Sequence, residues 1–483
     1  MNLRAVFHLV SYMTLVMGLS ILACTAVSWY YNDSHQAQLS FVFAGGITMA
    51  VSALVAVLTR GDINLARRDG FGVVAFGWMA VTFFGSLPYL FSGVIPHFVP
   101  ALFETMSGFT TTGSTVIPIL ETVPHGILFW RALTHWFGGM GVLVLCVAIL
   151  PFLGVGGMKL YAAEMPGPFK DRLTPHIATT AKLLWGVYLL ITVVEILLLK
   201  FVGHMNGFDS VCHSFATVAT GGFSTRTASV AYYNSAAVDI ILTVFMFISG
   251  INFSLHHYAL TGHPSRYFKD PECRFYFLFL LGCCLFMTFD TWTSGFASFG
   301  RCLRDSFFTG TSLMTTTGFC TADFDRWPNA SRFLLMLMMF IGGCAGSTGG
   351  GLKVVRLMVV FKKIIRETQL FMRPSAAIQL KLGTKPVEQA VVMQISAFFI
   401  IYVLVFAFCS FLMTFYTPDL ESATSAVIAS LGNVGPGLHV VGATQNYSTI
   451  PHTGQAILII CMLLGRLELY TVLVVLLPRF WKR

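Results

Sequence analysis

Phe103-Glu104-Thr105-Met106-Ser107-Gly108-Phe109-Thr110-Thr111-Thr112-Gly113-Ser114-Thr115 is apolar enough to enter a lipid bilayer and too short to cross one. A spanning helix needs about 20 apolar residues, and here the chain turns to threonine and glycine after roughly half that length. Irregular backbone at membrane depth persists only where protein or a water-filled cavity satisfies its polar groups. The segment therefore predicts a re-entrant half-helix beside an aqueous path.

Three further segments repeat the pattern: Phe215-Ala216-Thr217-Val218-Ala219-Thr220-Gly221-Gly222-Phe223-Ser224-Thr225, Gly310-Thr311-Ser312-Leu313-Met314-Thr315-Thr316-Thr317-Gly318-Phe319 and Ser425-Ala426-Val427-Ile428-Ala429-Ser430-Leu431-Gly432-Asn433-Val434-Gly435-Pro436-Gly437. One such segment reads equally well as a turn or a close helix contact. Four, with Gly113, Gly222, Gly318 and Gly435 spaced roughly 100 residues apart, form an internal repeat.

Composition sets the solvent. With 55% hydrophobic and 11% charged residues in 483, the chain has more apolar surface than one aqueous core can bury. Full-length apolar stretches include Leu183 to Phe201, Ile240 to Leu255, Phe275 to Phe289 and Ile457 to Leu477. The expectation is an all-α polytopic membrane protein of ten transmembrane helices and four re-entrant pore helices, pseudo-fourfold around one pore. Two extra helices fill 1–69, and repeats follow at 70–158, 159–262, 263–372 and 373–483. Ile21-Leu22-Ala23-Cys24 faintly resembles a lipoprotein cleavage site, but the apolar run continues to Trp29-Tyr30, and the N-terminus is expected to be retained. Eleven cysteines without a CxxC imply neither a disulfide framework nor a metal site.

A net charge of +9 suggests nucleic acid until its placement is read. Most Lys and Arg fall in alternate loops: Arg60, Arg67 and Arg68; Lys159, Lys170 and Arg172; Arg266, Lys269 and Arg274; a block from Lys353 and Arg356 through Lys362, Lys363, Arg366, Arg373 and Lys381 to Lys385; and Arg479, Lys482 and Arg483 at the end. An even number of spans puts these, with Arg4, on one side, which the positive-inside rule assigns to the cytoplasm together with both termini. No nucleic-acid partner is expected; anionic lipid is the plain partner for these charges.

A half-helix of about ten residues rising 1.5 Å each reaches midway across the apolar layer, with the negative end of its dipole toward the centre. Beyond it, glycine permits a turn that aims carbonyls at a common axis. Four turns make a ring able to replace the hydration shell of a potassium ion. The expected lining is Thr111, Thr112 and Gly113; Thr220, Gly221 and Gly222; Thr316, Thr317 and Gly318; and Asn433, Val434 and Gly435. Glu104, Asp209, Asp305 and Asp419, one before each turn, are expected to concentrate cations at the mouth. Because Leu431-Gly432-Asn433-Val434 stands where the third repeat has Thr315-Thr316-Thr317, the ring cannot be symmetric, and weaker discrimination among potassium, rubidium and sodium is expected.

These four segments resemble the filter segments of the Trk/Ktr/HKT potassium transporter superfamily, over almost the whole chain. The two extra helices and Gly342-Gly343-Cys344-Ala345-Gly346-Ser347-Thr348-Gly349-Gly350-Gly351-Leu352-Lys353 resemble in particular its bacterial TrkH/TrkG type of membrane subunit. The resemblance implies that Gly113, Gly222, Gly318 and Gly435 line a potassium filter, with Gly113 favouring potassium over sodium. It further implies a bacterial inner-membrane location, homodimers with one pore per subunit, and a separate cytosolic TrkA-type ring. That ring would bind the nucleotide and dock on the basic loops around Lys159 to Arg172 and Lys353 to Lys385. The chain itself is expected to hold only potassium ions.

The glycine run interrupts an apolar stretch from Phe333 to Phe361, so that helix must break. It reads either as close packing or, as the resemblance also implies, as a gate below the filter built from Gly343, Gly346, Ser347, Thr348, Gly349, Gly350 and Lys353. The run lacks the Gly-Lys-Ser/Thr of a nucleotide loop. Arg466, inside the last apolar stretch, costs about 2.5 to 3.5 kcal/mol to insert and must face protein or water. Its two readings are a salt bridge to another helix, not to Glu468 two residues on, or a charge at the cavity below the filter that belongs to the gate. His256-His257 and Lys182 sit near helix ends and receive no site. An ion-coupled symporter with alternating access is the second functional reading, distinguished by inverted repeats and broken helices, where only one span here is conspicuously broken. An enzyme would need a convergent catalytic set, and none recurs.

Overall fold

The structure is a computed structural model that describes residues 1–61, 67–141, 177–383 and 385–481. Lys159, Lys170, Arg172, Lys482 and Arg483, and the expected boundary between the first two repeats, lie outside the described residues.

Among the described residues, six helices are long and apolar enough to cross a membrane by themselves: Leu3–Tyr30, His35–Leu58, Arg68–Ser92, Thr179–Phe201, Pro271–Thr293 and Gln389–Met413. They belong to α1 (Leu3–Tyr30), α2 (His35–Leu58), α3 and α4 (Arg67–Gly85, Leu87–Ser92), α7 (Ile177–Phe201), α12 (Pro271–Thr293) and α16 (Gln389–Met413). The outward side chains are those that suit lipid, such as Leu58, Phe201, Leu278 and Phe408. Trp78, Tyr89, Phe103 and Trp130 are buried. α1 and α2 form a hairpin whose helices approach at Gly18 and Gly45: a Cβ on Gly45 would lie 3.1 Å from the Gly18 carbonyl oxygen, the small-residue contact by which membrane helices pack.

Four short helices end inside the protein: α5 (Phe98–Phe109), α8 (Gly207–Val218), α13 (Phe299–Met314) and α17 (Leu420–Leu431). Asn206 and Asp419 cap two of them, accepting from the Asp209 and Ser422 amides at 2.7 and 2.6 Å, the usual remedy for unbonded first-turn donors.

In the second, third and fourth repeats the helices that follow these segments are broken, which corrects the expectation of a single broken span. Ile240 to Leu255 is not one helix but α9 (Ala236–Ser249) and α10 (Phe253–Leu260), bent by 101°. In the third repeat α14 (Asn329–Ile341) stops at Gly342, whose φ is +76°, and α15 (Val354–Met372) begins after the glycine run. In the fourth, Ile457 to Leu477 is divided into α18 (His452–Arg466) and α19 (Tyr470–Leu476), with Glu468 at φ +50° between them. In the first, α6 (His125–Gly139) leads into residues outside the described set. The described residues also include two short helices not foreseen, α11 (Ser265–Lys269) and α20 (Pro478–Trp481), and a minimal antiparallel pairing of Lys381–Leu382 with Lys385–Pro386. Lys353 and Arg356 are buried and Lys362, Lys363 and Arg366 half-buried, so the exposed part of the basic block begins at Arg373.

Candidate ion pore

Each short helix ends in the same backbone sequence. Thr112, Gly221, Thr317 and Val434 donate from their amides to the carbonyls of Ser107, Ala216, Ser312 and Ala429, five residues back, at 2.7 to 2.9 Å. This is the hydrogen bond of a Schellman cap. It requires a left-handed residue just before the donor, and that residue is Thr111 (φ 54°), Thr220 (53°), Thr316 (62°) or Asn433 (54°). Threonine is β-branched and strained there; three of them at matching positions mark a site where strain is held by surrounding structure. Two residues after each comes a second left-handed position, Gly113 (86°), Gly222 (78°), Gly318 (84°) and Gly435 (104°).

The four glycines meet. A Cβ on Gly113 would fall 2.1 Å from the Gly221 carbonyl oxygen, one on Gly222 2.0 Å from that of Thr317, one on Gly318 2.1 Å from that of Val434, and one on Gly435 2.6 Å from that of Thr112. Each segment thus abuts the next, and the fourth returns to the first. All four glycines also line one vestibule of about 70 Å³, walled by Arg226, Thr227, Tyr447 and neighbouring outer-loop residues.

The corners differ. The Gly435 carbonyl accepts from the Ser114 hydroxyl at 3.0 Å and the Tyr447 hydroxyl at 2.7 Å. Asn433 turns its Nδ2 to Thr112 Oγ1 (3.0 Å) and the Met462 carbonyl (3.1 Å). Among the described residues, Thr111 Oγ1 and Asn433 Oδ1 are buried with no hydrogen-bond partner.

The carboxylates before the segments do not face the mouth as free charges, which corrects that expectation. Glu104 is buried and paired with Arg131 Nε at 2.7 Å, and it also accepts from the Val116 amide at 2.9 Å. Asp209 accepts from Asn206, Thr225 and Arg226, Asp305 pairs with Arg301 at 2.8 Å, and Asp419 caps α17. They brace the segments. Arg131 continues the bracing: it donates to the Ser224 carbonyl at 3.0 Å, and its guanidinium lies 4.0 Å from the Phe223 ring. One turn on, His135 accepts the Phe223 amide at Nε2 (3.1 Å), so its proton is on Nδ1 and is donated to the Gly108 carbonyl (2.8 Å). Sequence reasoning missed both. Two ionisable residues four apart inside the apolar 125–139 stretch were the available signal.

On the side away from the vestibule the glycine run folds against the ring. Thr348 donates to the carbonyls of Val218 (3.0 Å) and Ser249 (3.2 Å), and the Gly350 amide donates to Thr316 Oγ1 (2.7 Å). The Cys344 amide donates to the Gly250 carbonyl, and Phe253 donates to that of Gly346, at 2.9 and 3.0 Å. A Cβ on Gly349 would lie 3.0 Å from the Thr315 carbonyl oxygen, and one on Gly343 3.1 Å from that of Gly250. Ser347 bonds within the loop, to the Cys344 carbonyl at 2.6 Å. Lys353, buried and at φ 74°, donates to the Gly349 carbonyl. Arg466 reaches the same place, donating to the carbonyls of Thr348 (3.0 Å), Gly139 (3.1 Å) and Gly138. Glu468 pairs elsewhere, with Arg356.

A family model described as a cation transport protein, TrkH, matches residues 37–483. The chain belongs to the TrkH family. It is 41% identical over 487 residues to the Trk system potassium uptake protein TrkH of Halomonas elongata and 40% identical over 491 residues to that of Escherichia coli K12, each match covering 100% of both chains. To the Trk system potassium uptake protein TrkG of Escherichia coli K12 it is 33% identical, over 100% of this chain and 99% of that one. Its fold matches the crystal structure of the potassium transporter TrkH from Vibrio parahaemolyticus with a TM-score of 0.89 and 37% identity, covering 100% of each. This TrkH-family chain is therefore a multi-pass, all-α membrane protein of a transport family, not an enzyme.

Proposed function

We propose that this TrkH-family protein takes up potassium through a gated, channel-like pore whose filter is the ring at Gly113, Gly222, Gly318 and Gly435. The observation that carries the reading is the cyclic approach of those four glycines, each leaving no room for a side chain beside a neighbour's carbonyl. Backbone oxygens on four sides suit a dehydrated monovalent cation, and the potassium named in the relatives' descriptions fits that chemistry. Thr111, Thr112, Thr220, Gly221, Thr316, Thr317, Asn433 and Val434 complete the lining. The ions are cargo, and the chain needs no bound cofactor.

The glycine run, latched to Val218, Thr316 and Arg466 beneath the ring, is the gate in this reading, and its displacement opens the path. The basic loops support a reading in which both termini are cytoplasmic in a bacterial inner membrane, Arg373 to Lys385 meet lipid head groups or a TrkA-type nucleotide-binding ring, and the subunit works as a homodimer. Alternating-access symport coupled to protons or sodium is the second reading, favoured by the broken helices α9/α10, α14/α15 and α18/α19. Single-channel recording from reconstituted protein decides between them: discrete openings with many ions per event support the pore, and slow stoichiometric flux without openings overturns it. Gly113→Ser tests the filter, with a fall in the potassium-to-sodium uptake ratio expected and an unchanged ratio counting against it.

A further inference from the structure

Glu272 lies in the first turn of α12, whose start is capped by Asp270 accepting from the Cys273 amide at 2.8 Å. Its side chain does not serve its own helix. A single oxygen, Oε1, accepts from the amide of Ala345 at 2.7 Å and from that of Val355 at 3.1 Å. Ala345 is in the glycine run, and Val355 is the second residue of α15, where backbone donors have no partner within the helix. One atom from a different helix thus holds both the run and the helix that resumes after it.

The segment leading to Glu272 reaches the run by a second route. Tyr267, in α11, donates its hydroxyl to His256 Nδ1 at 2.6 Å, because the other ring nitrogen must carry the proton it gives to the Ile248 carbonyl at 3.0 Å. Ile248 precedes Ser249 and Gly250, whose carbonyls receive Thr348 and Cys344 of the run. Residues 265–272 therefore hold the run directly through Glu272 and reach its second anchor through His256, while Arg266, Phe268 and Lys269 of the same segment are exposed.

We propose that Glu272 is the positioning residue that latches the glycine run beneath the ring, and that displacement of the exposed 265–272 segment withdraws the latch. The inference rests on the reading of that run as a gate.

The test is basal rubidium flux into vesicles containing the full chain alone. Glu272→Ala removes the acceptor, and Glu272→Leu removes it while keeping the volume, which serves should the alanine variant fail to assemble. Either raises basal flux roughly tenfold, the shift expected on losing hydrogen bonds of this kind. Glu272→Gln keeps an acceptor oxygen in place and returns flux to near wild type, a rescue that general destabilisation would not give. Deletion of Gly349 and Gly350 is the control for the gate itself. A leaky deletion with a tight Glu272→Leu overturns the latch and spares the gate, whereas a tight deletion overturns the gate and the latch with it.

Discussion

At Gly222 two constraints coincide, since a side chain would be strained at φ +78° and would also meet the Thr317 carbonyl at 2.0 Å. The Thr317 carbonyl cannot give, because it is backbone. Gly222→Ala is expected to abolish rubidium uptake. Gly46→Ala and Gly282→Ala, at helical sites with nothing within 4 Å, are expected to leave uptake intact and to gain about 0.5–1 kcal/mol of helix stability each; equal loss in all three would sever uptake from the ring. Arg131 and Glu104 make a second argument at this scale. Their pairing is buried on both sides, so removing one partner strands a charge at a cost of about 3–5 kcal/mol, while replacing both is far milder. Thermal unfolding in detergent should therefore rank Arg131→Met below Arg131→Met/Glu104→Gln, and the reverse order would refute a stabilising pair.

Arg466 belongs to the scale of elements, because its guanidinium joins the end of α6, through Gly138 and Gly139, to Thr348 of the glycine run. Arg466→Ala is expected to raise basal flux with little change in folded yield. Arg466→Lys should recover part of the closure, since a point charge cannot reproduce a planar fork that serves several carbonyls. Lost yield with unchanged flux would assign the residue to folding alone. The half-helices and turns of this architecture were legible in the sequence because glycine recurs in register in all four repeats, with threonine beside it in the first three. The breaks in α9/α10 and α18/α19 were not, since Ser249-Gly250-Ile251-Asn252 and Leu467-Glu468-Leu469 are too short to lower the apolarity of a stretch read over a whole span. Nor was the engagement of Glu104 and Asp209, whose partners Arg131 and Arg226 come from other elements and meet them only once the chain is folded; the Arg301–Asp305 pair, four residues apart on one helix, was legible and went unread. His256, set aside as an ordinary helix-end residue, proves to bridge α11 and the carbonyl end of α9, a role that depends on the same unforeseen break.

Over the whole molecule, one polypeptide closes a ring that separate identical subunits would close symmetrically, and each corner is free to differ. Gly435 is where it differs most: its carbonyl already accepts two hydroxyls, from Ser114 and Tyr447, which leaves it a poor ligand for a passing cation. In the pore reading an ion at that level meets fewer fixed oxygens, and fewer fixed oxygens mean weaker rejection of sodium. Competition among potassium, rubidium and sodium in reconstituted vesicles should show a preference for potassium with measurable sodium passage. Tyr447→Phe keeps the ring that packs near Phe103 and removes one donor. The released carbonyl is expected to raise the potassium-to-sodium ratio roughly fivefold, the equivalent of about 1 kcal/mol for one neutral hydrogen bond. If the ratio stays at its wild-type value in Tyr447→Phe and in Tyr447→Phe/Ser114→Ala, the Gly435 oxygen lies outside the ion's path and the asymmetry of the ring must act through Asn433 instead.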